Sequence, residues 1–267
     1  MNIIESLLLG IIQGLTEFIP VSSTAHLLIA QRIFDIPADD AMFSFLVIVQ
    51  LGTLVSLFAF YWKDLLTIAR STLDVKHSTP ERNLGFYILI ATVPALLAGY
   101  LLKDAVEALF RQPMLEASIR LFAAAILLTL AEYFSKKNRS LDSMTWLDAL
   151  VVGLMQIIAV FPGASRSGTT ISGGMFRNFD RPAAARFSFL MSVPVMLAAG
   201  GYEALDVIQM PNLGGFLPLL AVGFAAAAVT GWLSIKWLIR YLSKNSLYVF
   251  AAYCAAVGFI LLAIQVF

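Results

Sequence analysis

Two short stretches of the sequence contain most of the side chains that could carry out chemistry. The first, "QGLTEFIPVSSTAH", covers residues 13–26, and the second, "FPGASRSGTT", covers residues 161–170. Each has a proline followed by serines, and between them they hold Glu17, His26 and Arg166. A hydroxyl near an imidazole and a carboxylate can become a nucleophile, and arginine offers a fixed fork of donors that suits a phosphate group. The two stretches therefore predict a site for a phosphate-bearing anion.

The spacing within the stretches suggests a role for each residue. Gln13 and Glu17 are four residues apart and share one helix face. Ser23 is the candidate nucleophile, and His26, one helical turn later, is its candidate base. Direct attack by His26 is an alternative. Arg166 is expected to stabilise charge on the phosphoryl group, so the candidate catalytic residues are Glu17, Ser23, His26 and Arg166.

Further polar groups in the stretches are expected to bind the anion. Two helices starting at these serines would direct free N–H groups and partial positive charge at one point. Serine is also the ordinary residue before a helix, and we expect capping to account for one serine of each pair. The candidate substrate-binding residues are Gln13, Ser22, Thr24, Gly163, Ser165, Ser167 and Thr170.

The composition of the 267 residues is that of a membrane protein. Mean hydropathy is +0.84, and 13% of residues are charged against roughly 25% in soluble domains. The formal net charge of +1 gives no reason to expect nucleic-acid binding. The single cysteine, Cys254, excludes an intrachain disulfide and is expected to be buried.

The apolar segments fall into two length classes. A helix needs about 20 apolar residues to cross a bilayer. Because a helix of about 15 residues is only about 22 Å long, the short segments predict two re-entrant hairpins. The segments long enough to span are 41–62, 84–102, 114–134, 184–205, 216–237 and 246–267, and the shorter ones are 2–18, 22–34, 146–160 and 166–178.

The two halves of the sequence also resemble each other. "FSFL" occurs at 43–46 and again at 187–190, and the proline–serine turns recur at a nearly matching offset. If 41–62 runs inward, most of the 18 Lys and Arg lie on the cytoplasmic side, and the second "FSFL" segment runs outward. The prediction is an all-α polytopic membrane protein: one domain, 1–267, with inverted-topology repeats at about 1–134 and 146–267.

Three functional classes are compatible with these residues. The first is an enzyme that cleaves a phosphate ester or anhydride. The second is an inverted-repeat transporter or flippase for a phosphate-bearing anion or lipid. The third is a serine hydrolase of acyl groups. The sequence contains no recognisable motif for the strained serine turn that carries the nucleophile in such enzymes. The Ser23–His26 pair favours the enzyme over the transporter, because transport requires no nucleophile and base.

The motifs "QGLTEFIPVSSTAH" and "PGASRSGTT" resemble the two signatures of the undecaprenyl-diphosphate phosphatase family, the bacitracin-resistance membrane phosphatases. The resemblance extends to "ISGG" and "RFSFLMSVP" and covers nearly the whole chain. It implies six spanning helices, two re-entrant helix pairs, an interlocked repeat and a homodimer. It also implies hydrolysis of undecaprenyl diphosphate to undecaprenyl phosphate and inorganic phosphate, which recycles the carrier lipid for peptidoglycan and other wall polymers and confers bacitracin resistance.

The resemblance also sets expectations for location and cofactor. It implies a multi-pass protein of the bacterial inner membrane whose site opens to the outer face. Glu17 could orient His26 or a water, or it could bind a divalent cation, Mg²⁺ or Ca²⁺, that bridges phosphate oxygens. Position 13 is Gln where many members of the family have Glu, and this removes one carboxylate that a metal site could use.

Overall fold

In the computed structural model of the protein, the described residues form ten α-helices. The described residues are 1–37, 39–74, 76–102, 113–160, 165–208 and 213–266. In chain order the helices are α1 (Ile3–Phe18), α2 (Ser23–Ile33), α3 (Asp40–Leu73), α4 (Pro80–Leu101), α5 (Pro113–Phe134), α6 (Trp146–Ile157), α7 (Arg166–Phe176), α8 (Arg181–Ile208), α9 (Leu213–Leu242) and α10 (Tyr248–Val266).

The first predicted pair of short helices is present as α1 and α2. Asn2 caps α1 by accepting a hydrogen bond from the backbone N–H of Glu5, whose side chain bonds back to Asn2. The helix ends at Phe18, just before Pro20, and α2 starts at Ser23. The break therefore falls at the predicted proline.

The second pair, α6 and α7, begins and ends at the same end of the protein. Asp148, in the first turn of α6, accepts hydrogen bonds from Arg139 Nη2 at 2.7 Å and from Arg177 Nε at 2.6 Å. Arg177 follows directly after α7. Because Asp148 is fully buried, its two arginine partners offset the cost of removing its charge from water. The pair is thus closed at its base by one carboxylate.

Among the residues that the structure describes, four helices are long and apolar enough to cross a membrane: Ala41–Leu73, Pro80–Leu101, Ala117–Phe134 and Gly214–Leu242. The other two predicted spans, 184–205 and 246–267, form α8 and α10, which are not among these four. The chain is thus a multi-pass membrane protein by composition and helix length, and the count of six spans stays a prediction.

Helix α3 is longer than predicted. The apolar run predicts that this span ends at residue 62, but the helix continues to Leu73 after a kink at Tyr61, where φ is −105° and ψ is 18°. The prediction of its end was wrong because the apolar run stops there while helix-forming residues continue. Lys63 and Asp64, which end the apolar run, lie on this extension, so the helix extends beyond its apolar part.

Each short helix that leads into a pair packs on a long helix of the other half. Helix α1 packs along α9, and α6 packs along α4. The approach is close: a Cβ on Gly10 would lie 2.3 Å from the carbonyl oxygen of Gly223, and one on Gly153 would lie 2.6 Å from that of Ala91. Small residues at such contacts let membrane helices approach each other. The two halves are therefore interlocked.

Candidate active site

A hydrogen-bonded cluster centred on the carboxylate of Glu17 joins the two short-helix pairs. Arg166 Nη2, at the start of α7, donates to Glu17 Oε1 at 2.5 Å. Ser23 Oγ, at the start of α2, donates to Glu17 Oε2 at 2.7 Å, and Gln13 Nε2 donates to the same oxygen at 2.9 Å. The structure thus brings together four predicted site residues, two of them separated by 149 positions in the sequence.

The cluster lies at the edge of the protein interior rather than deep within it. Glu17 is 8% exposed and the Arg166 side chain 17%. Ser23 and His26 are half-buried and Thr24 is exposed. A charge pair in this position is shielded from most of the surrounding water, which strengthens its electrostatic interactions. Thr24 and parts of Ser23 and His26 are nevertheless accessible at the surface of the protein.

The serines that precede the two helices act as caps, as predicted for one serine of each pair. Ser22 Oγ accepts from the backbone N–H of Ala25 at 3.3 Å, and Ser165 Oγ accepts from that of Gly168 at 3.0 Å. Ser167 Oγ donates to the carbonyl of Ile19 at 3.3 Å, which ties α7 to the turn between α1 and α2. The two helix N-termini therefore meet beside Glu17.

Ser22 also holds the backbone in an uncommon conformation. Its φ of 70° and ψ of 93° lie in a region that residues other than glycine rarely adopt. Strained residues of this kind cluster at functional sites. The residue that follows is Ser23, so the strained turn places the candidate nucleophile next to Glu17. Nothing in the residue types indicates this strain, because serine is ordinary before a helix.

Both ring nitrogens of His26 have hydrogen-bond partners. His26 Nδ1 lies 2.8 Å from the carbonyl oxygen of Ser22, and Nε2 lies 2.7 Å from the hydroxyl of Tyr253 on α10. The Ser23 hydroxyl donates to Glu17 instead of to the imidazole. The predicted pairing of Ser23 with His26 is therefore not made in this conformation, and Glu17 is the group placed to accept the serine proton.

Two other predicted binding residues, Thr170 and Gly163, are not among the described members of the hydrogen-bonded cluster around Glu17. Thr170 is buried, and its hydroxyl bonds to the Arg166 carbonyl at 2.7 Å and to Ser188 Oγ of α8 at 2.5 Å. This hydroxyl thus joins α7 to α8. Gly163 lies outside the described residues. Tyr253 was not among the predicted site residues, since a single tyrosine in an apolar run carries no local signal.

Among the described residues of this cluster, Glu17 supplies the one carboxylate that a divalent cation could bind. The two oxygens of Glu17 accept three hydrogen bonds, and a carboxylate has about four lone-pair positions. No group of three or more His, Cys, Asp and Glu side chains suited to a metal occurs within the described ranges. These residues fit only a cation that takes one oxygen of Glu17 and most of its ligands from a bound phosphate, as Mg²⁺ commonly does.

The sequence of this chain is similar to those of known proteins over nearly its whole length. The sequence profile of the family described as bacitracin resistance protein BacA matches residues 6–260. An undecaprenyl-diphosphatase of Thermomicrobium roseum is 38% identical over 100% of this chain and 99% of its own. Proteins of the same name from Chlorobium phaeobacteroides and Mycobacterium marinum are 40% and 36% identical, over 97% and 95% of this chain and 95% and 91% of theirs.

Proposed function

This chain belongs to the bacitracin resistance protein BacA family, and we propose that it hydrolyses undecaprenyl diphosphate to undecaprenyl phosphate and inorganic phosphate. The product is the carrier lipid for peptidoglycan and other wall polymers, and its renewal underlies the resistance to bacitracin from which the family takes its name. The observation that carries the proposal is the cluster of Glu17, Arg166 and Ser23 at the junction of two helix N-termini.

The cluster contains what phosphoryl transfer requires. Arginine carries five N–H donors, so Arg166 can donate to Glu17 and to phosphate oxygens together. The N-termini of α2 and α7 add partial positive charge. Positioning and electrostatic stabilisation supply most of the catalysis of phosphoryl transfer. The site therefore suits the diphosphate head group, while the apolar helix faces suit the polyprenyl tail.

We propose Ser23 as the nucleophile. Its Oγ forms a bond to the terminal phosphorus, the bond from that phosphorus to the bridging oxygen breaks, and undecaprenyl phosphate leaves. The serine proton passes to Glu17, to which the hydroxyl already donates at 2.7 Å. A water activated by His26 then attacks phosphorus, the bond to Ser23 Oγ breaks, and the serine regains its proton from Glu17. Direct attack by His26 Nε2 is the competing route.

A divalent cation, Mg²⁺ or Ca²⁺, is proposed to accompany the substrate. Glu17 would supply one oxygen ligand, and the diphosphate would supply others. Bound in this way, the ion would neutralise charge on the phosphate oxygens. The test is phosphate release with and without a chelator, followed by addition of each ion separately. Full activity in the chelator would remove the cation from the proposal.

The proposed topology is six spanning helices and two re-entrant pairs in an inverted repeat. Three observations support it. The pair α6–α7 is closed at its base by Asp148, α1 and α2 are too short to cross a bilayer, and the halves exchange packing partners, α1 with α9 and α6 with α4. We further propose a homodimer in the bacterial inner membrane whose site opens to the outer face.

The proposed activity is tested with purified protein in detergent, where no compartments exist. We expect release of inorganic phosphate from a polyprenyl diphosphate, followed by a colorimetric phosphate assay. A transporter without hydrolytic activity would release none, and that result would end the phosphatase proposal. The matched control is the Glu17→Gln variant, which we expect to be folded and nearly inactive because the Ser23 proton then has no carboxylate to accept it.

A further inference from the structure

Tyr253 reaches the site from the last helix of the chain. Its hydroxyl lies 2.7 Å from His26 Nε2 although the two residues are 227 positions apart. The two rings are nearly parallel, with an interplanar angle of 8° and centroids 5.6 Å apart. The contact therefore has two parts: a hydrogen bond through the hydroxyl and a stacking contact through the ring.

The hydrogen bonds determine which tautomer of neutral His26 is present. Nδ1 lies 2.8 Å from the carbonyl oxygen of Ser22, and a carbonyl only accepts. Nδ1 must therefore carry the ring proton and donate it to Ser22. In a neutral ring the other nitrogen, Nε2, then has a lone pair, and it accepts a hydrogen bond from the Tyr253 hydroxyl. The phenol thus covers the one basic atom of the imidazole.

The position of Tyr253 is fixed by the residue that follows it. Cys254 is fully buried, and its Sγ lies 3.7 Å from the carbonyl oxygen of Pro20, in the turn between α1 and α2. Tyr253 itself is exposed. Helix α10 is thereby anchored at the turn that carries the site, and the phenol contacts His26, which is half-buried.

We propose that Tyr253 is a positioning residue for His26. In the protein without substrate, its O–H donates to Nε2, keeps that nitrogen unprotonated and fixes the orientation of the ring. When the diphosphate binds, the same O–H donates to a phosphate oxygen and leaves Nε2 free to accept a proton. The phenol stays protonated throughout, so only its acceptor changes. This role rests on the proposed function, because it assumes that His26 acts on a phosphoryl group.

The test uses Tyr253→Phe, which keeps the ring and its stacking but removes the hydroxyl. The matched control is Tyr248→Phe, which removes a phenol from the same helix more than one turn away. Two quantities are measured: the kinetics of phosphate release, and the rate at which diethyl pyrocarbonate modifies His26. The sequence contains two histidines, and His77 in an exposed loop position provides the internal reference for the modification.

We expect Tyr253→Phe to lower kcat about tenfold, the scale of one lost hydrogen bond, with KM within about twofold. We also expect faster modification of His26 relative to His77, because Nε2 is no longer covered. Tyr248→Phe should change neither quantity. A merely packed tyrosine predicts no change on substitution with Phe, so wild-type turnover, or an unchanged ratio of modification, would overturn the proposal.

The two proposals fail in different ways. If wild-type protein releases no phosphate, the proposed function is wrong, whereas the modification ratio still reports whether the phenol covers Nε2. Thermal unfolding of each variant, followed by tryptophan fluorescence, identifies a variant that is damaged in its fold. Should Tyr253→Phe be damaged in this way, Tyr253→Trp, which restores an aromatic ring with a donor, is expected to recover turnover, and failure to recover it would overturn the proposal.

Discussion

At the scale of single residues, the site depends on two charges that compensate each other. Glu17 and Arg166 form an ion pair across the junction of the two short-helix pairs, and removing one partner of such a buried pair leaves an uncompensated charge. The same contact holds Arg166 where a phosphate would meet it. Under the proposed mechanism the ion pair has both a structural and a catalytic consequence, and variants must separate the two.

Arg166→Lys separates charge from geometry. Lysine keeps the positive charge but cannot donate two parallel hydrogen bonds to phosphate. We expect the variant to fold and insert, and to lose about 10²-fold or more in kcat, as when a preorganised donor to the transition state is removed. Phosphate release and thermal unfolding are the measurements.

The control for this variant is Arg186→Lys, in the half-exposed ion pair with Asp64 outside the site. This change should leave turnover unaltered. The double variant Glu17→Gln, Arg166→Gln removes both charges and should fold without activity. Turnover near the wild-type value in either Arg166 variant would reduce Arg166 to a structural residue.

Ser23→Ala tests the nucleophile. We expect a loss of about 10³-fold or more in kcat, because a covalent route loses its attacking atom, while substrate still binds. Mass spectrometry of quenched wild-type enzyme should find phosphate on Ser23. The control is Ser234→Ala, which removes a buried hydroxyl that donates to the Leu15 carbonyl at 3.0 Å. If Ser23→Ala retains substantial turnover, the attacking atom belongs to His26 or to water.

The sequence predicted the members of this cluster better than their pairing. Glu17 and Arg166 were identifiable because charged side chains are rare in apolar segments, and Ser23 because it lies in the same short stretch as Glu17. The hydrogen-bond partner of Ser23 could not be identified in this way. The distance from Ser23 to Glu17 depends on the turn at Ser22, and residue propensities do not specify the backbone conformation of that turn. Tyr253 could not be predicted at all, because its contact with His26 depends on how α10 packs.

At the scale of helices, the contact of α6 with α4 determines where the second pair lies. The backbone atoms of Gly153 and Ala91 approach so closely that an added Cβ would lie 2.6 Å from the Ala91 carbonyl oxygen. This neighbour is backbone and cannot rotate away. Since α6 leads into the segment that carries Arg166, a displacement of α6 would also displace the guanidinium.

Gly153→Ala tests this contact. We expect a loss of stability of roughly 1–3 kcal/mol from overpacking, seen as a lower Tm, together with lower turnover in the folded protein. Gly99→Ala is the matched control, because it lies on α4 with nothing within 4 Å of the added Cβ. That change should be neutral or slightly stabilising. Equal Tm values for the two variants would contradict the close contact.

The helix ends that were predicted correctly are those determined by residues close in the sequence. The proline placed the break near Pro20, and the predicted short segment 146–160 begins at the residue where α6 begins, Trp146. The cap of α6 by Thr145 was not part of the prediction. The continuation of α3 beyond Tyr61 did not, because hydropathy marks where the apolar run stops and not where the helix does.

At the scale of the whole molecule, the distribution of charge predicts the orientation. Cysteines at Lys76 and Lys136, both exposed, should react with an impermeant thiol reagent only from the cytoplasmic side, and a cysteine at Gly214 only from the outside. The background is Cys254→Ala, which removes the one native thiol. A membrane-permeant reagent that labels all three positions controls for access. Labelling of positions 76 and 214 from one side would exclude the inverted repeat.

The exchange of packing partners also constrains how the protein is made. Helix α1 leaves the ribosome first, but the glycine face that it presents fits α9, which begins at Leu213. A nascent chain that has inserted only its first half holds Glu17 without Arg166 and without the helix that supports α1. The imidazole of His26 gains its phenol partner only when α10 has been translated. The proposed site is therefore completed last in synthesis, and a chain that stops before its final helix carries Glu17, Ser23 and His26 without the phenol that contacts His26.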